Sequence, residues 1–152
     1  MKADKLVVDT CVFIEGLFGE EGNLSSYFLS NLDKFNARLI FSQDTIGELF
    51  YILKRECNNL QMSDDEISAI LFDTAILFQE SKSVNTRYYK YKRNKIKIED
   101  EDDQMFVDAA FASNATHLIT LDEKSGILNL KNVPFICCTP TTYLLLKDKI
   151  EA

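Results

Sequence analysis

Histidine occurs once in the 152 residues, at His117. A lone histidine at the start of an expected strand removes any Ser-His-Asp or Cys-His device. The four cysteines, Cys11, Cys57, Cys137 and Cys138, show no C-x-x-C spacing and two are adjacent, which suits neither a zinc site nor a disulfide framework. No apolar run approaches the roughly 20 residues of a membrane-spanning helix. The start "MKADKLVVDTCVF" interrupts its apolar residues with Lys5 and Asp9 and lacks a small-residue cleavage site. These absences read as a soluble, unsecreted protein of the reducing cytoplasm, with no membrane association. Five Gly and two Pro, against 46% hydrophobic and 27% charged residues, exclude the disordered and collagen-like extremes. A chain of this length fits one domain, residues 1–152, that hides roughly 70% of its unfolded surface.

Positive charge is also scarce, with a formal net charge of −7, and nucleic-acid binding needs cations to displace counterions from phosphates. The average misleads, because charge is segregated. From Ser81 to Ile98 there is no acid, and seven bases stand there: Lys82, Arg87, Lys90, Lys92, Arg93, Lys95 and Lys97. The rest of the chain carries ten basic against 24 acidic residues.

What is present alternates strand and helix. "KLVV" (Lys5 to Val8) is a β-branched run that stops at Asp9 and reads as the first, central strand. A loop with Gly16, Gly19 and Gly22 follows, then helical spacing through Leu24, Phe28, Leu32 and Phe35, then a strand "RLIF" (Arg38 to Phe41). Ser42 is placed to cap a helix over 44–57, and Ser63 with Glu66 forms a capping box for the next. For Val84 to Ile98 the tyrosines favour a strand and the charge an exposed helix or loop. The acidic box opens a helix near 102–114, followed by the strand "HLITL" (His117 to Leu121), the strand "PFICC", and a helix that Thr139 caps and Pro140 begins. The alternation predicts an α/β fold, a mostly parallel sheet with helices on both faces.

In such a sheet, ligands bind outside the carboxyl ends of the strands, where strand order reverses. Asp9 and Asp122 end strands there, Glu48 lies in the first turns of a helix, and Asp103 starts another. Four carboxylates gathered in one cleft repel each other unless a cation neutralises them. Carboxylate and water ligands suit Mg2+ or Mn2+. Ions so held can promote in-line attack on a phosphodiester without a protein nucleophile. The basic stretch with its tyrosines, Arg87, Lys90, Lys92, Arg93 and Lys95 foremost, would hold phosphates and stack on unpaired bases of single-stranded RNA.

At this point the chain resembles the PIN-domain family, metal-dependent nucleases that include VapC-like toxins of toxin–antitoxin pairs. The motifs that carry the resemblance are "VVDTCVF", "SQDTIGELFYILKR", "DEDDQMFVDAAFASNATHLITLD" and "CCTPTTYLL", in family order. The resemblance implies a three-layer α/β/α sandwich, metal positions at Asp9, Glu48, Asp103 and Asp122, and Asp100 as an auxiliary ligand. It puts Thr120 at the small hydroxyl position before the last acid, counted with the substrate contacts. It implies an endoribonuclease that leaves 5′-phosphate and 3′-hydroxyl ends, and it allows an antitoxin partner and a homodimer. Cys11 departs from the pattern, standing where an Asn usually supports the opening Asp by hydrogen bonding.

Blander readings stand beside this one. Glu99, Glu101 and Asp102 read as outward acids that favour a helix dipole, each worth about 0.3–1 kcal/mol. The basic run can be a solvated face or bind an acidic protein. Two other function classes remain: a catalytically silent PIN-like module binding RNA or protein, and a phosphatase or phosphoacceptor domain. The latter needs a second Asp two residues after the first or a placed lysine, and position 11 is Cys.

Overall fold

The computed structural model describes residues 2–90 and 95–151. Five strands form one parallel sheet: β1 (Asp4–Val8), β2 (Ala37–Phe41), β3 (Lys82–Ser83), β4 (His117–Ile119) and β5 (Ile136–Cys138). Their order is β3-β2-β1-β4-β5. As the first strand's position in the sequence led one to expect, β1 is central, pairing Leu6 with Leu39 on one side and Val8 with Ile119 on the other. The chain runs outward from β1 through β2 to β3, then returns to start β4 on the opposite side of β1. The strand order therefore reverses between β1 and β4.

The helices are α1 (Thr10–Phe18), α2 (Leu24–Ser30), α3 (Gln43–Asn59), α4 (Asp64–Glu80), the short α5 (Arg87–Lys90), α6 (Gln104–Ala112) and α7 (Pro140–Glu151). Strand residues alternate between two cores. Leu6, Val8, Leu39, Phe41 and Ile119 pack with Phe13, Phe28, Leu49, Leu53 and Tyr143 on one face. Val7, Ile40 and Leu118 pack with Phe106, Val107, Ala110 and Phe135 on the other. Burial on both faces explains why these strands read as continuous apolar runs. Among the described residues no helix is long and apolar enough to cross a membrane.

Two expectations need correction. The segment after Asp9 is helix α1 rather than a glycine loop. Asp9 caps it, its carboxylate facing the Cys11 N–H at 3.5 Å, and Val12 and Phe13 bury its inner side. Gly16 lies inside this helix, facing α2: a Cβ there would lie 2.9 Å from Leu29 Cδ1 and 3.5 Å from the Ser25 backbone. The second helix also ends early, at Ser30. The Asn31 side chain donates to the Tyr27 carbonyl at 2.7 Å, an alternative to helix continuation that Asn supplies. Asn36 then turns with φ 51° into β2.

Capping follows the sequence closely. Ser42 and Thr45 make a reciprocal box at α3, with the Thr45 N–H donating to Ser42 Oγ at 3.1 Å and the Ser42 N–H to Thr45 Oγ1 at 2.9 Å. At α4 the Glu66 N–H donates to Ser63 Oγ at 3.2 Å, the cap alone, without the returning Glu66 side-chain bond of the expected box. Thr139 caps α7 by accepting the Thr142 N–H at 3.2 Å. The acidic box divides in two. Asp100 accepts the Asp102 N–H at 3.0 Å and starts a 3-10 turn over Glu101–Asp103, and α6 proper begins at Gln104. Asp103 sits at the junction and makes no side-chain cap bond.

Candidate active site

Asp9 follows β1 at the point where strand order reverses. Its N–H donates to the Ile119 carbonyl at 2.8 Å, which ties it to the end of β4. Its side chain is buried, and Thr120 Oγ1 donates to Asp9 Oδ2 at 2.7 Å. The same Thr120 oxygen accepts the Asp122 N–H at 3.0 Å, so one hydroxyl fixes both the first and the last acid of the motif. Thr120 has no exposed surface. It stands behind the carboxylates, supporting them, and is not open to a substrate as its grouping with the substrate contacts had it.

Glu48 comes from the second turn of α3. Thr10, the residue after Asp9, donates its hydroxyl to Glu48 Oε2 at 2.6 Å. Sequence reasoning did not single out Thr10; its signal was the "DT" pair itself, where a hydroxyl follows the capping acid at the mouth of the sheet.

The four acids expected at the site line one cavity of about 430 Å³, together with Thr10, Cys11 and Arg55. Asp100, Asp103 and Asp122 offer carboxylate oxygens that all lie within 4.8 Å of one another. Glu99, Glu101 and Asp102 are exposed, the outward dressing that the helix-dipole reading assigned to them. Arg55 is a cation that the sequence reading passed over; it lies seven residues beyond Glu48 on α3, so both reach the same side of the helix.

Crowding of like charge shows in the protonation of these groups. Burial, then the charges of Asp9, Asp100, Asp122 and Glu48, push the Asp103 carboxyl up to about 7. Burial raises Asp9, against the stabilising bond from Thr120 and with added repulsion from Asp122. Burial also raises Glu48, opposed by the Thr10 bond and reinforced by Asp9 and Asp102. The Cys11 thiol is pushed up to about 12, first by burial and then by Asp9, so it is held neutral; its Sγ lies 3.7 Å from Thr120 Oγ1. The charged donors of the cavity are therefore hard carboxylate oxygens, a set that fits a hard divalent cation better than zinc.

Beside this cavity, and sharing Glu48 with it, runs a groove of about 890 Å³ whose lining mixes Tyr51, Lys90, Lys95 and Lys97 with the acids Asp44, Glu99, Glu101 and Asp108. Lys90 lies 3.8 Å from Asp44 in a largely exposed pair, of the kind that contributes little. Lys95 is different, because its Nζ lies 3.8 Å from Asp108 Oδ2 with both side chains mostly buried. Arg87 lines a neighbouring hollow with Asp44 and Lys90. Lys92 and Arg93 lie outside the described residues.

A family model described as the PIN domain matches residues 5–124. The chain belongs to the PIN-domain family. PIN domains are generally nucleases and typically use a divalent metal, in keeping with the cluster of carboxylates at the sheet edge of this one. Among solved structures, this PIN domain is similar to the crystal structure of VapBC2 from Rickettsia felis bound to a DNA fragment from their promoter. The TM-score is 0.56 at 15% identity, covering 89% of this chain and 98% of that one; the likeness bears on the fold. No curated relative matches the sequence.

Proposed function

We propose that this PIN domain is an endoribonuclease that hydrolyses phosphodiester bonds of single-stranded RNA with Mg2+ or Mn2+, acting in the cytoplasm as the toxin of a type II toxin–antitoxin pair. The observation that carries the reading is the convergence of Asp9, Glu48, Asp103 and Asp122 on one cavity, beside a groove whose lining sets three lysines among five acids. An antitoxin partner is supported by the toxin–antitoxin character of the similar Rickettsia felis complex.

Asp9, Glu48, Asp103 and Asp122 would hold the metal, with Asp100 as an auxiliary. A divalent ion bound there supplies Lewis-acid stabilisation of the phosphoryl oxygens and lowers the pKa of water. The chain's own task is to keep the carboxylates fixed, through Thr120 on Asp9 and Thr10 on Glu48, and to bring the backbone of the RNA alongside. Lys90 and Lys97 in the groove and Arg87 in the hollow beside it would attract phosphates, and Tyr51 offers an exposed ring for a base.

Asp9→Asn is expected to leave the fold intact and to abolish cleavage of a labelled single-stranded RNA in Mg2+ or Mn2+. Cleavage at the wild-type rate would sink the assignment of the site. Thr120→Val removes the bonds to Asp9 and to the Asp122 N–H, and should weaken Mn2+ binding by roughly 10–100-fold, the usual cost of losing a group that orients a metal ligand. Isothermal titration with Mn2+ measures this directly, and unchanged affinity would remove Thr120 from the support of the site.

A further inference from the structure

The basic segment is pinned at its C-terminal end to one stripe of α6. Gln104 Oε1 accepts the Ile98 N–H at 2.9 Å, and Gln104 Nε2 donates to the Ile96 carbonyl at 2.8 Å and to Asp108 Oδ1 at 3.0 Å. The other oxygen of Asp108 faces Lys95 Nζ at 3.8 Å, the two side chains being only 7% and 15% exposed. Nearly one turn further on, Phe111 stacks on Tyr89, with ring centroids 5.0 Å apart and an angle of 11°. Gln104, Asp108 and Phe111 stand at i, i+4 and i+7, a single face of the helix. Asp103 is the residue immediately before that stripe, so one helix end serves both the carboxylate site and the seat of the basic segment.

An ion pair this far from water costs desolvation, and apolar residues would seat a loop at lower cost; what the pair adds is a single register. The Gln104 amide strengthens that, since it bonds two backbone groups of the segment and the carboxylate at once. The charge of a lysine so placed is already engaged by a carboxylate.

We propose that Gln104 and Asp108 are positioning residues for RNA. They seat residues 95–98 against α6 so that Lys97 lines, with Lys90, the groove shared with Glu48, and Lys95 serves as the anchor of the segment rather than as a phosphate contact. The proposal rests on the nuclease reading above for its substrate.

The test compares full-length wild type with Asp108→Asn and Gln104→Ala, after circular dichroism has shown which variants fold; Gln104→Ala strands no buried charge and keeps the test open if Asp108→Asn does not fold. Hydrogen exchange at the Ile98 amide should speed up in both variants, while exchange in the middle of α6 stays as in the wild type. On a fluorescein-labelled single-stranded RNA with Mn2+, KM should rise about tenfold, the factor that corresponds to roughly 1.4 kcal/mol of lost contact, with kcat nearly unchanged. The charge swap Lys95→Asp with Asp108→Lys should bring KM back towards the wild-type value. Unchanged Ile98 exchange, an unchanged KM, or a loss confined to kcat would overturn the proposal. If the wild type cuts no RNA with any divalent ion, the nuclease reading fails separately, and fluorescence anisotropy of the same RNA in EDTA decides the seat. Weaker binding by the variants then supports it, and equal or absent binding overturns it.

Discussion

Asp103→Asn is expected to stabilise the metal-free protein above pH 7 while removing RNA cleavage. The folded protein holds the Asp103 carboxyl at about 7 against an ordinary value of 3.8. Between those values the folded state keeps a proton that the unfolded chain has released. Stability from this group is therefore full below about pH 4, falls as pH rises, and is gone above about pH 7. An amide has no charge to repel Asp9, Asp100, Asp122 and Glu48, so the variant escapes that loss. The carboxyl is only half-buried and solvent screens part of the repulsion, so the gain in EDTA at pH 8 should be about 1 kcal/mol, ordinary for a stabilising substitution. Cleavage should fall about a thousandfold, corresponding to roughly 4 kcal/mol of lost transition-state stabilisation. Thermal unfolding in EDTA and single-turnover cleavage in Mn2+ measure the two effects on the same preparation. A variant less stable than wild type at pH 8 would mean that Asp103 is held by partners rather than crowded by like charges.

The second large effect is that of the metal on stability. Mn2+ or Mg2+ at about a hundred times its dissociation constant should add about 2.7 kcal/mol, which for a domain of this size is a rise in Tm of roughly 5–10 °C. The rise should be large at pH 8 and small at pH 5, because below about pH 7 a proton on Asp103 competes with the ion. Asp9→Asn and Asp103→Asn should each lose most of it. Differential scanning calorimetry with and without EDTA at the two pH values provides the check. A rise of equal size at both pH values would place the ion away from Asp103.

Much of this site was legible in the sequence because its signals are local. Asp9 ends a β-branched run, Ser42 opens a helix with Glu48 two turns in, and Asp122 follows a strand two residues after a hydroxyl. Strand ends and helix starts put these acids and Asp103 at one edge of an expected parallel sheet, and the resemblance to the PIN-domain family marked the four as a set. Helix α1 was hidden because Gly16 and Gly19 read as turn residues; Gly16 faces Leu29 of the neighbouring helix, a tertiary contact that no window of sequence contains. Thr10 and Thr120 were hidden in another way. Their hydroxyls act across 38 and 111 residues of chain, and a threonine looks the same whether it lines a substrate cleft or braces a carboxylate. The lysines of the basic segment read alike in sequence, yet the fold separates Lys95, paired with Asp108, from Lys97, which is exposed.

The 5′ and 3′ ends left on the RNA test the central claim most directly. End-labelled single-stranded RNA is incubated with the purified protein in Mn2+, in Mg2+ and in EDTA, and the products are typed by phosphatase and ligase. The four-carboxylate site predicts cleavage that disappears in EDTA and leaves 5′-phosphate and 3′-hydroxyl ends, since water attacks and the 3′ oxygen leaves. Cleavage that persists in EDTA and leaves 2′,3′-cyclic phosphate would contradict it, because the RNA's own 2′-hydroxyl would then be the nucleophile and the carboxylates would not be holding a metal for the reaction.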